Sequence, residues 1–222
     1  MAVLTISREE ACGGADIGRE AAKALGYALA DKNLIEKAFH QYGFIPLSAT
    51  YDKAPGFWDQ FDGLRRQTVA NLNEVMRALA RHGNVVILGR AGFAVLGRYV
   101  DVLNVRIKAP FPDRLDNMMI REDLTERDEA ELLLQERDRV RAGFVESAYH
   151  VPWEGMDLFD LVIDTGKIPR DAAVDILVRS VRALEGKKTS TTELTAASIE
   201  VERFMGAAVC GALGCRPPHW QA

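Results

Sequence analysis

The stretch LTISREEACGGADIGREAAKALG, residues 4–26, has the pattern of an apolar strand, a glycine-bearing turn and a helix. Gly26 follows the last apolar position of the helix, where a glycine commonly ends helical structure. A strand, turn and helix in this order direct backbone N–H groups of the turn and of the helix N-terminus toward one point. The stretch therefore predicts a loop that binds phosphate.

Two glycine motifs can be compared with this turn. The dinucleotide pattern G-x-G-x-x-G, ended at Gly18, finds Gly13 at its first glycine but Ala15 at its second, where the backbone must approach the pyrophosphate. Asp31 lies near the distance expected for a ribose-binding acid, which keeps this interpretation open. The P-loop pattern G-x-x-x-x-G-K-[ST] finds Gly13 but has Gly14 in place of its lysine. Neither motif is complete.

Strands and helices alternate along the rest of the chain. Apolar runs predict strands at 2–7, 27–30, 85–88, 101–109 and 159–166, and helical patterns cover 16–25, 33–42, 59–82, 111–121, 126–145 and 169–184. This alternation predicts an α/β fold with three αβα layers and a parallel sheet. Ligands of such sheets bind at the carboxyl ends of the strands, so the site is expected after Ser7, Gly89 and Thr165.

Composition limits the other function classes. A net charge of -4 argues against a protein that binds nucleic acid polymers, and no apolar run reaches the ~18–20 residues of a membrane helix. The N-terminus lacks the pattern of a secretory signal, so the expected location is a reducing cytoplasm. Cys12, Cys210 and Cys215 form no even framework. The last two are interpreted as small apolar residues in a helix end, with a metal site or a disulfide as the lesser alternative.

Short motifs in the same order and spacing resemble the bacterial cytidylate kinases, and more closely their divergent branch, the cytidylate kinase-like proteins. The shared residues are Ile6-Ser7-Arg8, Gly13-Gly14, Ile17-Gly18, Asp31-Lys32, Leu34-Ile35, Gly89-Arg90 and Ala109-Pro110 with Arg114. ERDRVRA, residues 136–142, resembles the lid motif RDRDxxRA. The resemblance covers residues 2–184 and implies a P-loop nucleotide kinase fold. That branch itself lacks the usual lysine, and this chain also has Glu10-Ala11-Cys12 where the branch tends to have an aromatic-Gly-Ser step.

The resemblance implies transfer of the γ-phosphoryl group from Mg-ATP to a nucleoside monophosphate or a related small acceptor. ATP and Mg²⁺ would be the cofactors, and nucleotides would be the partners. Donor phosphates would lie against Arg8, Gly13, Gly14, Ala15 and Asp16, with Arg8 partly replacing the lysine and Asp16 as a magnesium ligand. The acceptor would contact Asp31, Lys37, Arg90, Asp138 and Arg141, while Arg137 and Arg139 would act catalytically from the lid. Ala91 replaces the acid that helps the family to recognise cytosine.

Simpler interpretations of the same residues stay open. Asp16 also suits the first turn of any helix, and the arginines at 137–141 also suit a solvated face paired with Glu131 and Glu136. Phe57, Trp58 and Phe61 can stack on a base or pack against a helix. The alternative function is an inactive nucleotide-binding or scaffold protein.

Two regions are expected along the chain. Residues 1–185 would form the kinase-like domain, with a lid at about 122–158. Residues 186–222 would form a linker and a C-terminal helix that packs on its own domain or joins a homodimer.

Overall fold

The computed structural model describes residues 1–43 and 62–215. The five strands are β1 (Val3–Arg8), β2 (Ala28–Ala30), β3 (Val85–Leu88), β4 (Val102–Lys108) and β5 (Leu161–Asp164). The α-helices of these residues are α1 (Gly14–Leu25), α2 (Lys32–Tyr42), α3 (Asp62–His82), α4 (Gly92–Leu96), α5 (Phe111–Glu122), α6 (Arg127–Tyr149), α7 (Arg170–Gly186) and α8 (Arg203–Leu213). Phe57, Trp58 and Phe61 lie outside the described residues.

The sheet has the strand order β2-β3-β1-β4-β5, and every neighbouring pair is parallel. The central strand β1 pairs with β3 from Val3 to Ile6 and with β4 over its whole length. Both faces of a parallel sheet are covered by helices, so its strands are apolar throughout. The continuous run Val85–Leu88 meets this condition and forms β3 with the predicted bounds.

Two apolar layers cover the two faces of the sheet and confirm the predicted αβα architecture. One lies between the sheet and helices α1 and α7, with Ile17 and Leu177 among its buried residues. The other includes residues of α2, α3, α4 and α8, such as Phe39, Leu79 and Met205. A smaller cluster packs α5 against α6, the long helix inside the region predicted as a lid.

Local signals explain most of the helix ends. Gly13 and Gly26 flank α1 with left-handed backbone, at φ 76° and 70°, a conformation that glycine adopts without steric cost. The Asp31 carboxylate caps α2 by accepting the N–H of Leu34 at 3.0 Å. The helical pattern predicted at 59–82 is described from Asp62 onward, and Gly63 is part of α3.

The C-terminal region packs into the layer formed by α2 and α3. Met205 and Val209 of α8 are buried there, and a homodimer through α8 stays a prediction. Cys210 and Cys215 form a disulfide, so their interpretation as unlinked apolar residues is wrong. The physical reason is Gly214, whose φ of 75° reverses the chain and returns Cys215 to 5.1 Å from Cys210 between Cα atoms. In the described part of the chain, no helix is long and apolar enough to cross a membrane.

Candidate phosphate-binding site

A cavity of about 480 Å³ lies where β1 and β3 end. Its lining includes the cationic side chains of Arg8, Lys32, Arg90, Arg137 and Arg141 and the apolar side chains of Leu88, Phe93, Val140, Val145 and Trp153. The position agrees with the rule that open parallel sheets bind ligands at the carboxyl ends of their strands. A cationic wall beside an apolar wall suits a ligand with an anionic part and an apolar part.

Arg8, the last residue of β1, stands where the P-loop pattern has its first glycine, and Gly14, the first residue of α1, stands where the pattern has its lysine. A β-carbon added at Gly14 would lie 2.9 Å from the Cβ atom of Arg8. A side chain at position 14 would therefore collide with the side chain of Arg8, so only one of these two positions can carry a side chain without a shift of the backbone. Relative to the P-loop pattern, the long cationic side chain is thus at the end of β1 and the glycine is at the start of α1.

The end of β3 gives room to the Arg8 side chain. A β-carbon on Gly89 would overlap the Arg8 Nη1 atom, so the guanidinium group of Arg8 lies against the glycine backbone. Gly89, Arg90 and Ala91 all have left-handed backbone, with φ of 76°, 54° and 57°. This conformation is uncommon for arginine and alanine, and such strain is concentrated at functional sites. It directs the strand end into the cavity, where Arg90 is buried and lies 3.8 Å from Glu36.

Glu10 is the central acid of the site. It is 5% exposed, and its carboxylate pairs with Arg121 of α5 and with Arg137 and Arg141 of α6. The distance from Glu10 Oε1 to Arg137 Nη1 is 3.2 Å. Burial by itself raises the pKa of Glu10, but the charges of Arg141 and Arg121 outweigh burial and bring the pKa down to about 2. The carboxylate is therefore an anion at any physiological pH.

A second set of ion pairs supports the loop. Asp138 accepts the backbone N–H of Glu10 at 2.8 Å and the Arg114 guanidinium at 2.5 Å. Glu9 lies 3.4 Å from Arg114 and 3.6 Å from the buried Arg106. Burial lowers the pKa of Arg106, and Glu9 opposes that shift. These pairs attach the loop to β4, α5 and α6.

Arg106 also supports the apolar wall of the cavity. Its guanidinium lies 4.4 Å from the centre of the Trp153 ring and donates a 2.7 Å hydrogen bond to the Trp153 carbonyl. Because Arg106 is 1% exposed, both contacts are shielded from water. They fix the position of Trp153 beside the cavity.

The structure brings together some of the predicted site residues. Arg8, Arg90, Arg137 and Arg141 all line the cavity, and Asp138 binds the loop beside it. Their proposed roles in catalysis and binding remain predictions.

Other predicted site residues lie apart from the cavity. Asp31 caps α2, and the Lys37 ammonium donates to the Ala212 carbonyl at 3.2 Å. Arg139 is 68% exposed in its side chain and pairs with Glu136 at 2.5 Å. Asp16 pairs with Arg19 at 2.5 Å in the first turn of α1. For these residues to bind substrate, the side chains would have to change partners.

The residues that sequence reasoning missed are Lys32, Glu9, Glu10 and Arg121. Lys32 follows a predicted acceptor residue and could have been found from its place at the start of α2. Glu10 stands where the cytidylate kinase-like branch tends to have an aromatic residue. This replacement of an aromatic side chain by an acid could have marked the position as unusual. Arg121 carries no such signal, because its contact with Glu10 spans 111 positions of the chain.

The sequence profile of the cytidylate kinase-like family matches residues 3–167, which is more than half of the chain. The chain belongs to the cytidylate kinase-like family. The matched residues contain β1 through β5 and every side chain that lines the cavity.

Two curated relatives share parts of this sequence. A cytidylate kinase of Ignicoccus hospitalis is 31% identical over 100 residues, which are 45% of this chain and 57% of that protein. A uronate isomerase of Corynebacterium glutamicum is 32% identical over 110 residues, which are 50% of this chain but 21% of the isomerase. The chain thus matches about a fifth of one curated relative and just over half of the other.

Two solved structures are similar to this family member. An uncharacterized protein from Eubacterium ventriosum has a TM-score of 0.65 at 17% identity, over 82% of this chain and 99% of that one. A shikimate kinase from Acinetobacter baumannii has a TM-score of 0.46 at 13% identity, over 86% of this chain and 96% of that one. The first similarity shows a shared fold.

Proposed function

We propose that this family member is a phosphotransferase that moves the γ-phosphoryl group of Mg-ATP to a nucleoside monophosphate or a related small acceptor. The observation that carries the proposal is the convergence of Arg8, Arg90, Arg137 and Arg141 on one cavity beside a loop that leads into a helix N-terminus. Phosphoryl transfer depends mainly on positioning and on neutralising charge, and these are the contributions that such a site can make.

The donor phosphates would lie at the start of α1. The first N–H groups of a helix have no partner within the helix, and the helix dipole favours an anion at this end. Gly13, in a left-handed conformation, opens this first turn. Arg8 would supply the charge that the loop lysine supplies in the P-loop pattern, because its planar guanidinium can contact two phosphate oxygens at once.

Arg137 and Arg141 would contact the transferring group from the opposite side. They are four residues apart and therefore lie on one face of α6. Arg139 lies between them in sequence and pairs with Glu136. We therefore assign the contact with phosphate to Arg137 and Arg141, and Arg139 would take part only after leaving Glu136.

The acceptor would lie against the end of β3. Arg90 and Lys32 provide cations for its phosphate, while Phe93 and Trp153 provide an apolar surface for a flat ring. Ala91 supplies no carboxylate for the recognition of cytosine. We therefore propose an acceptor set that is not restricted to cytosine nucleotides.

Asp16 is the residue that fits Mg²⁺ at the donor side. Magnesium in such enzymes is commonly held by one or two carboxylates together with substrate phosphates and water, so one carboxylate in the first turn of α1 is a sufficient protein ligand. Among the described residues, no group of three or more metal-binding side chains is present. The ion would neutralise charge on the donor phosphates, and Asp16 would exchange its contact with Arg19 for it.

The test is a transfer assay with purified protein, Mg-ATP and a panel of CMP, dCMP, UMP, AMP and GMP, in which ADP formation is followed. We expect ADP formation to require both an acceptor and Arg8, so that Arg8→Ala lowers kcat/KM by ~10²-fold or more. The matched control is Arg127→Ala, an exposed arginine of α6 that pairs with Asp116.

The outcomes of this assay separate the two candidate functions. No ADP above background, with ATP binding still seen by calorimetry, would refute catalysis and leave a nucleotide-binding protein. Absence of ATP binding would refute both functions.

A further inference from the structure

Glu10 makes contacts that a phosphate group would make. Its two carboxylate oxygens are shared by three guanidinium groups, which come from α5 and α6 and meet at the loop before α1. Two of these arginines, Arg137 and Arg141, line the cavity together with Glu10 itself. The carboxylate is therefore at the boundary between the cavity and the arginines that face it.

An ordinary surface ion pair would look different. Arginines on a charged helix commonly pair with acids one turn away, as Arg139 does with Glu136. Arg141 also contacts Asp138 one turn away, but both Arg137 and Arg141 reach an acid on another element, Glu10, which is almost completely removed from water. Burying a carboxylate is costly unless cations and hydrogen bonds compensate. The three arginines thus form a site that holds an anion.

The charges of the site leave little attraction for a second anion while Glu10 is in place. Arg121 and Arg137 also contact Glu122, and Arg141 also contacts Asp138. Asp138 also pairs with Arg114, which shares Glu9 with Arg106, so the connected network within the described residues holds five arginines and four carboxylates. A phosphate monoester carries about -1.5 to -2 charges at pH 7, so it could bind these arginines well only if an acid withdrew. Glu10 is the acid that lies on the loop and lines the cavity.

We propose that Glu10 is an internal anion that occupies a phosphate subsite formed by Arg121, Arg137 and Arg141, and that a bound phosphate group displaces it. Glu10 then lowers the affinity of the site for phosphate ligands and joins the loop to α5 and α6 while no ligand is bound. This inference deepens the proposed function, because it assigns the same arginines to phosphate, but its test measures binding and requires no transfer.

The test uses inorganic tripolyphosphate and isothermal titration calorimetry of the full chain. Glu10→Gln keeps the size of the side chain and removes its charge, and we expect its Kd for tripolyphosphate to be lower than that of the wild type by on the order of tenfold. Glu131→Gln is the matched control, since it removes one charge from α6 at a residue that contacts Gln135 and lies away from the cavity. We expect it to change Kd by less than about threefold.

A second variant protects the test against a folding defect. Glu10→Asp keeps the negative charge but shortens the side chain by one methylene, which moves the carboxylate away from the arginines. Its affinity for tripolyphosphate should increase by less than that of Glu10→Gln. Circular dichroism checks that each variant is folded. Unchanged or weaker binding by folded Glu10→Gln and Glu10→Asp would overturn the proposal, as would the absence of tripolyphosphate binding by all of the proteins.

The result is distinguishable from a failure of the proposed function. Tighter binding by Glu10→Gln in a protein that transfers no phosphoryl group would support this subsite and refute the phosphotransferase. Phosphoryl transfer by the wild type, without tighter tripolyphosphate binding by the variants, would support the phosphotransferase and refute this subsite.

Discussion

Gly14 and Arg8 should be energetically coupled, because they compete for the same space. A β-carbon at Gly14 would lie 2.9 Å from the Arg8 Cβ atom and 3.3 Å from Cys12 Sγ, against ~3.5–4.0 Å for carbon atoms in contact. Overpacking typically costs ~1–3 kcal/mol, whereas alanine gains up to ~1 kcal/mol over glycine in a helix interior. We therefore expect Gly14→Ala alone to lower the free energy of unfolding by ~1 kcal/mol.

Removing the Arg8 side chain should change this result. In the Arg8→Gly background the closest atom is absent, so Gly14→Ala should be neutral or stabilising. The coupling free energy between the two substitutions should then be ~1–2 kcal/mol, within the range found for residues in contact. Urea denaturation of the wild type, the two single variants and the double variant measures it.

A control glycine makes this cycle specific. Gly63 is also helical, and within the described residues a β-carbon there would meet no atom within 4 Å. Gly63→Ala should therefore have the same effect on the free energy of unfolding in the wild type and in the Arg8→Gly background. Additive effects of Gly14→Ala and Arg8→Gly on the free energy of unfolding, within ~0.5 kcal/mol, would refute steric competition between side chains at these two positions.

Three further predictions follow from individual side chains. The pKa of Glu10 falls from its usual 4.5 to about 2 on folding, so its stabilising effect is present above pH 4.5 and is lost as the pH falls toward 2. The free energy of unfolding should thus decrease over this range more steeply for the wild type than for Glu10→Gln. The same dependence on pH in both proteins would contradict a stabilising role for the ion pairs of Glu10. Arg137→Ala should lower kcat far more than Arg139→Ala in the transfer assay, and equal effects would mean that Arg139 reaches the substrate. Burial raises the pKa of the Cys12 thiol to about 11, so iodoacetamide at pH 8 should modify Cys12 only after unfolding, as mass spectrometry of its peptide can determine.

The fold could be predicted because its signals are local. The apolar run of β3 and the glycines that flank α1 depend on neighbours in the sequence, and both appear where they are expected. The disulfide was the less favoured interpretation of Cys210 and Cys215, because it depends on the chain reversal at Gly214 rather than on the cysteine count.

The site was predicted less completely because its contacts are distant in sequence. Arg8 ends β1 and Arg90 follows β3, so the rule for parallel sheets could place both near the ligand site. The partners of Glu10 lie 111 to 131 residues away, and only packing of α5 and α6 against the loop brings them together. Lys37 and Arg139 show the opposite case, since a motif supplies the residue type but not the direction of its side chain.

The central claim is that the loop and the cavity bind a phosphate donor with Arg8 in place of the loop lysine. A crystal structure of the protein with a non-hydrolysable ATP analogue, Mg²⁺ and CMP tests it most directly. We predict that the triphosphate lies at the N-terminus of α1 with the Arg8 guanidinium on its oxygens, and that Arg137 and Arg141 have left Glu10 for phosphate. A nucleotide bound elsewhere, or phosphates that Arg8 does not contact, would contradict the claim.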